Sequence, residues 1–276
     1  MVIDTSWRGR RVFISGDVEF LGHALVNELI RQGAEVVVFV PNRPTGDQLQ
    51  ADFRHQLHLI YGRTDNLFRL HSAMAVHEIG VVFHCAAALT RDQSAEKQEL
   101  ATLLQAAGLY SPHVPVVACF PSSLDHQETE VGHERLSVVR VGEVFGPGDR
   151  RGGGIVSHIA RALCRGEAIG DWDGPARDFI FVRDVATACL LVAQSTVPPR
   201  GGAWIFRSGW SMTDRQMARL MEGVWNTRNP ELPPFPRPDN PRGWQPNHTL
   251  REALSETLAW YHDLVAAEDH PTRRAA

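Results

Sequence analysis

The chain of 276 residues is poor in lysine, tyrosine and cysteine, and it has no long run of apolar residues or of like charges. No stretch approaches the ~20 apolar residues that a membrane-spanning helix needs, so no membrane partner is expected. With a formal net charge of −4 and no basic run, a nucleic-acid or anionic-surface partner is not expected either. The N-terminal residues Met1 to Arg11 are polar and lead straight into an apolar strand, which speaks against a secretory signal. The four cysteines, Cys85, Cys119, Cys164 and Cys189, lack metal-ligand spacing and sit in apolar segments. They are expected to be reduced, buried thiols of a cytoplasmic protein, and no metal site is expected.

What is present is a core. Hydrophobic residues make up 43% of the chain, enough for one large α/β domain or one such domain with a small lobe. Arg11 to Ser15 is β-branched and aromatic. A glycine turn follows, and then Leu21, Leu25 and Leu29 mark one face of a helix that Gly33 closes. Glu35 to Val40 is a nearly continuous apolar run, as expected of a strand covered on both faces. This is β-α-β in about 30 residues, the opening of a parallel sheet. The rhythm continues with strands at Leu57–Tyr61, Val81–Cys85, Val114–Phe120 and Leu136–Val141, and helices at Asn66–His77 and ending near Ala107. After the turn-rich stretch from Gly146 to Gly154, helices are expected at Ile155–Cys164, Asp184–Gln194, Thr213–Trp225 and Leu250–Ala266. Short strands are expected at Asp178–Val182 and Ala203–Arg207. The expected fold is α/β with a doubly wound parallel sheet. Residues 1–145 form the main domain; residues 146–276 form chiefly a small C-terminal lobe, with some segments returning to the main sheet.

Six motifs occur in order. They are Gly16-x-x-Glu19-x-x-Gly22 after the first strand, His84-Cys85-Ala86-Ala87, and the pair Ser122-Ser123. Then come Arg140-Val141-Gly142-Glu143-Val144-Phe145-Gly146-Pro147-Gly148-Asp149, Arg177-Asp178-Phe179-Ile180-Phe181-Val182-Arg183-Asp184-Val185, and Gly243-Trp244-Gln245-Pro246 with Leu250-Arg251-Glu252-Ala253-Leu254. Together they resemble the extended short-chain dehydrogenases/reductases, the nucleotide-sugar epimerase/dehydratase group, over nearly the whole chain. The resemblance implies a Rossmann-like fold with a small substrate-binding lobe. It also implies cofactor contacts at Gly16 and Gly22, a carbonyl-polarising serine at Ser122 or Ser123, a histidine near the cofactor at His84, and a diphosphate-binding arginine at Arg177, with Arg140 nearby.

The departures from that pattern are as informative. The middle glycine of the loop is Glu19, where backbone must approach a pyrophosphate closely. Like charges at ~4 Å cost about 1 kcal/mol in water and about 4 kcal/mol at an effective dielectric near 20. The acidic residue that would hold the adenosine ribose is replaced by Val40, followed by a loop of Pro41, Asn42 and Arg43; Arg43 either favours NADP over NAD or is a solvated loop arginine. The acidic adenine contact aligns with Arg63. These changes make no cofactor the first expectation, NADP the second and NAD the last. The resemblance also implies a Tyr-x-x-x-Lys pair for proton transfer, but Lys97 is the sole lysine and Gln93 stands four residues before it. Only 17 positions separate Ser123 from Arg140, and Leu124 to Arg135 has no helical apolar stripe. The segment between Ala88 and Leu103 also reads as short. In the family these two regions build a dimer, so the usual dimer is not expected here.

The remaining candidates for chemistry are Ser122 and Ser123, which are equally an ordinary turn, and the loop residues His126, Glu128, Glu130, His133 and Glu134, which read first as a solvated loop and otherwise as an acid and a base or as metal ligands. Glu143 is a candidate buried acid with a raised pKa. His84 is either a ligand contact or a buried, hydrogen-bonded histidine. Arg177 is either a phosphate fork or the partner of Asp178 or Asp184. The first functional expectation is a family member that has lost hydride transfer and performs isomerase, lyase or cyclase chemistry on a sugar nucleotide or specialised metabolite. The second is a catalytically silent binding or partner protein. The third is an NADP-dependent reductase or epimerase with an unusual proton donor.

Overall fold

The alternation of apolar runs and amphipathic segments builds a parallel sheet with connecting helices. The computed structural model describes residues 6–54, 56–86, 93–121, 134–150, 152–195, 203–226, 232 and 234–269. The chain divides into two compact units. One comprises Met1–Val141 and Val185–Phe206; the other comprises Gly142–Asp184 and Arg207–Ala276.

In the first unit, β1 (Arg11–Gly16) leads to α1 (Leu21–Arg31), which buries Leu21, Leu25 and Leu29, the stripe expected from the spacing. Helix α1 stops at Gln32, and Gly33 follows at φ 82°, a left-handed conformation that costs a residue without Cβ little. Next come β2 (Glu35–Val40), α2 (Arg43–Phe53), β3 (Leu57–Tyr61), α3 (Leu67–Val76), β4 (Val81–Cys85), α4 (Gln93–Tyr110), β5 (Val116–Pro121) and β6 (Leu136–Val141). With β9 (Ala203–Phe206) they form a seven-stranded sheet in the order β3-β2-β1-β4-β5-β6-β9, every pair parallel. Leu70 and Met74 of α3 and Leu100 and Leu104 of α4 join Phe13, Phe39, Val82 and Val116 of the strands in one buried cluster. Full burial of each such side chain contributes about 1.5–3 kcal/mol. The strand order reverses between β1 and β4, the point at which doubly wound sheets bind ligands beyond the strand ends.

One detail differs from the sequence reading. The stretch after Val40, read as a solvated loop, is the helix α2, capped by the Asn42 side chain accepting from Thr45 N (3.0 Å) and with proline in its first turn. Helix α4 runs for 18 residues and extends beyond Leu103 to Tyr110.

The second unit holds β7 (Glu143–Phe145), α5 (Ile155–Arg165), β8 (Arg177–Phe181), the start of α6 (Val182–Ala193), β10 (Ser211–Met212), α7 (Asp214–Trp225) and α8 (Leu250–Asp269). Strand β8 is central in a three-stranded sheet, parallel to β7 and antiparallel to β10. All four cysteines are free thiols, and Cys85, Cys119 and Cys189 are buried. Among the described residues no helix is long and apolar enough to cross a membrane, and no group of three or more histidine, cysteine or acidic side chains is placed to hold a metal ion.

Candidate functional site

In the first unit, the turn after β1 has the geometry of a phosphate-binding loop. Gly16 lies at φ 88°, and a Cβ there would overlap the carbonyl oxygen of Cys85, to which Asp17 N donates at 2.7 Å. A Cβ at Gly22 would sit 2.7 Å from the Asp17 carbonyl oxygen. Only glycine allows the chain to turn and α1 to start this close to the strand. Phe20, at the N-cap of α1, supplies no side-chain acceptor; Asp17 instead accepts from Phe20 N at 3.4 Å through its carboxylate and from Gly22 N at 3.0 Å through its carbonyl. This frame fits the phosphates of a dinucleotide.

The charged residues around the loop have partners that the sequence did not announce. Thr45 Oγ1, in the first turn of α2, donates to Glu19 Oε1 at 2.7 Å. The exposed Glu19 carboxylate is therefore held at the N-terminal turn of a helix, where negative charge is favoured. Arg63 pairs with Asp65 at 2.6 Å, and Arg43 lies 3.7 Å from Asp47 with its side chain 85% exposed.

His84 is only 2% exposed, and burial lowers its pKa to about 4. Its Nδ1 lies 3.3 Å from Ser15 Oγ, its neighbour across the β1–β4 pairing, and its Nε2 has no hydrogen-bond partner among the described residues. Arg140 is half-buried on β6. Ser122, Ser123 and His126 lie outside the described residues, as do Glu128, Glu130, His133 and Arg151; Glu134 is an exposed turn residue.

In the second unit, a polar cluster forms on β7, β8 and α7. Arg177 Nη2 is 2.8 Å from Asp214 Oδ1, and Arg177 Nε is 3.6 Å from Glu143 Oε2. The guanidinium lies over the ring of Phe179, 5.2 Å from its centroid. Burial raises the Glu143 pKa above the ordinary carboxyl value; Arg177 opposes the rise, while Asp214 and Asp149 add to it. A Cβ at Gly154, the N-cap of α5, would lie 3.3 Å from Glu143 Oε1, so the carboxylate sits beside that helix start.

The structure does not pair Arg177 with either acid that its sequence neighbourhood offered. Asp178 accepts from Ser208 N and Gly209 N, both at 2.9 Å. Asp184 accepts from Asn247 N at 3.0 Å and is paired with His248 Nδ1 at 2.8 Å. The partner that sequence reasoning missed is Asp214. It follows Thr213, whose side chain closes a capping box with Gln216, and an acid at that place reads as an ordinary helix-start residue. Of the other arginines, Arg150 lies over the Trp260 ring at 5.7 Å, and Arg183 pairs with Glu256 at 2.5 Å.

Comparison with known proteins places this geometry. The model of the NAD dependent epimerase/dehydratase family matches residues 12–109 and 129–204. GDP-L-fucose synthase 1 of Arabidopsis thaliana is 29% identical over 129 residues, covering 38% of this chain and 39% of that relative's length. Among solved structures, dTDP-glucose 4,6-dehydratase of Bacillus anthracis in complex with NAD superimposes with a TM-score of 0.74 at 15% identity, over 92% of this chain and 97% of that one. Yeast methylglyoxal/isovaleraldehyde reductase Gre2, complexed with NADPH, gives 0.69 at 16% identity, over 93% and 99%. These findings correct the expectation of no cofactor, with NAD ranked last: the matching family is NAD dependent, and a neighbour of the same fold was crystallised with NAD. The physical reason is the placement of Glu19, whose carboxylate is engaged by Thr45. With the family model matching more than half of its residues, this chain belongs to the NAD dependent epimerase/dehydratase family.

Proposed function

We propose that this chain is a family enzyme in which a carboxyl group, Glu143, does the proton transfer that a Tyr-x-x-x-Lys pair would otherwise do, acting on a small hydroxylated metabolite. Glu143 carries the reading. It is a partly buried acid whose pKa is raised by burial, next to an arginine that is itself partly exposed. A general acid needs a pKa brought towards the working pH, and burial among other carboxylates does this to a glutamate. The sequence supplies no phenol–lysine pair, because its one lysine, Lys97, follows Gln93 by four positions.

Gly16, Gly22 and the start of α1 would hold the dinucleotide, which when bound supplies hydride transfer. The second unit would serve as the substrate lobe, with Arg177 orienting the Glu143 carboxyl. Ser122, Ser123 and His126 would supply further polar groups for the substrate, and His84 and Arg140 would serve the first unit without proton transfer.

The test is a screen of NADH and NADPH consumption by the full chain against aldehydes, keto-sugars and sugar nucleotides, followed by Glu143→Gln. Expected is a fall in kcat of about 10²–10⁴-fold with unchanged dinucleotide affinity and partial recovery in Glu143→Asp. A Glu143→Gln enzyme that turns over at the wild-type rate overturns the proposal. The missing tyrosine–lysine pair favours a second reading, isomerase, lyase or cyclase chemistry without net redox change. Product formation with no change in nucleotide absorbance would select it.

A further inference from the structure

We infer that Asp214 is a specificity-determining residue of the second unit: by occupying the Arg177 fork it excludes a diphosphate, and the ligand taken there is one without a diphosphate group. This rests on the reading that the second unit holds the substrate.

An arginine recognises a diphosphate by presenting two parallel N–H donors to the phosphate oxygens. In this chain the two-donor edge of the Arg177 guanidinium formed by Nε and Nη2 already faces carboxylates, Nη2 at 2.8 Å from Asp214 Oδ1 and Nε at 3.6 Å from Glu143 Oε2. The plane of the group is fixed as well, by the Phe179 ring beneath it. Asp214 cannot retreat easily. The residue is only 7% exposed, and the chain at Gly174 presses on its carboxylate so closely that a Cβ at position 174 would overlap it.

The local charge points the same way. Asp149 and Asp214 both act on Glu143 electrostatically, so this carboxyl has two further acids and one arginine about it. A dense anion brought here meets a surplus of negative charge and has to displace an ion pair that is already made. Two more arginines of the second unit are engaged elsewhere, Arg150 on Trp260 and Arg183 with Glu256. A ligand that offers hydroxyl donors meets no such barrier and can donate to Glu143 or Asp214 directly.

The experiment is calorimetric titration of the full chain with uridine 5′-diphosphate, in wild type, Asp214→Asn and the double variant Asp214→Asn/Arg177→Gln, with NAD titrated in parallel. The wild type should show no saturable binding of the diphosphate through the millimolar range. Asp214→Asn should gain at least tenfold in affinity, and the double variant should lose that gain while all three bind NAD alike. Asp214→Ser, which keeps a helix-start residue, should repeat the gain and stands in if the asparagine variant folds poorly.

Two results overturn the inference: micromolar binding by the wild type that the double variant loses, or a folded Asp214→Asn that gains nothing. These are distinct from failure of the proton-donor reading. A diphosphate gain in Asp214→Asn together with full turnover in Glu143→Gln would leave the specificity inference standing and remove Glu143 from the chemistry.

Discussion

Acid should destabilise this protein through one buried ring. His84 is 2% exposed, and burial holds its pKa at about 4, against about 6.5 for an ordinary histidine. The neutral ring is therefore preferred by the folded state, and the unfolded chain binds the proton first as pH falls. The stability due to this preference is complete above about pH 6.5, declines as pH falls through the window from about 6.5 to about 4, and levels off below. Each tenfold difference in proton affinity is worth about 1.4 kcal/mol, so the loss is about 2 kcal/mol by pH 5 and about 3 kcal/mol by pH 4. That is a large share of the roughly 5–15 kcal/mol that holds an ordinary domain folded. The assay is urea unfolding at several pH values from neutral to about 4, in wild type and His84→Gln. Glutamine keeps a polar partner for Ser15, which lies 3.3 Å from His84 Nδ1, but it cannot take up a proton in this window. The variant should be less stable than wild type at neutral pH and should lose less on acidification. Other acids and histidines titrate in both proteins, so only the difference between the two slopes belongs to His84. If both proteins lose stability in parallel down to pH 4, the reasoning is refuted. A ring resonance that titrates near its ordinary value in the folded protein would refute it as directly.

Two further perturbations test the second unit. Asp184 is fully buried and is paired with His248 Nδ1 at 2.8 Å and with Asn247 N at 3.0 Å, so Asp184→Ala should lower the unfolding free energy by about 3 kcal/mol in chemical denaturation; a change below 1 kcal/mol would contradict this. A Cβ at Gly142 would overlap the carbonyl oxygen of Asp178, so Gly142→Ala should cost about 1–3 kcal/mol, and an unchanged melting temperature would show that the β7–β8 junction yields freely.

The large elements were legible because burial on both faces of a parallel sheet leaves nearly unbroken apolar runs such as Glu35–Val40, and because α1 repeats leucine at helical spacing. Helix α2 was not. Its sequence, RPTGDQLQADF, carries proline and glycine near its start and buries only Leu49 and Phe53 as large apolar side chains. The usable signal was Asn42 followed within two residues by Pro44, a helix-start pattern that does not depend on an apolar stripe. Missing that helix had a direct chemical consequence. Repulsion of a pyrophosphate by Glu19 requires a carboxylate facing the loop, whereas Thr45 of α2 holds it at 2.7 Å. The direction of an exposed side chain is set by a partner 26 residues away, and no local pattern carries that information. At Arg177 the sequence offered its neighbours Asp178 and Asp184 as partners, but those acids are taken by groups from residue 208 onward, and the arginine turns to Asp214 instead.

The acids of the second unit can be sorted by what satisfies them. Asp178 is closed off by two backbone N–H groups and the Ser208 side chain, and Asp184 by a histidine and a backbone N–H. A ligand could reach neither without undoing a loop or a helix start, so these two belong to the framework even though they stand inside the family motif. Glu143 and Asp214 are different, because they share Arg177, whose side chain is 32% exposed. A ligand with hydroxyl donors could bond to these acids while the ion pair stays made, since the arginine that holds both is itself reached by solvent. The residues that match the family motif most closely are therefore split between scaffold and site by their hydrogen-bond partners. Of the two acids left at the site, Asp214, which no motif marks, decides what Arg177 can bind.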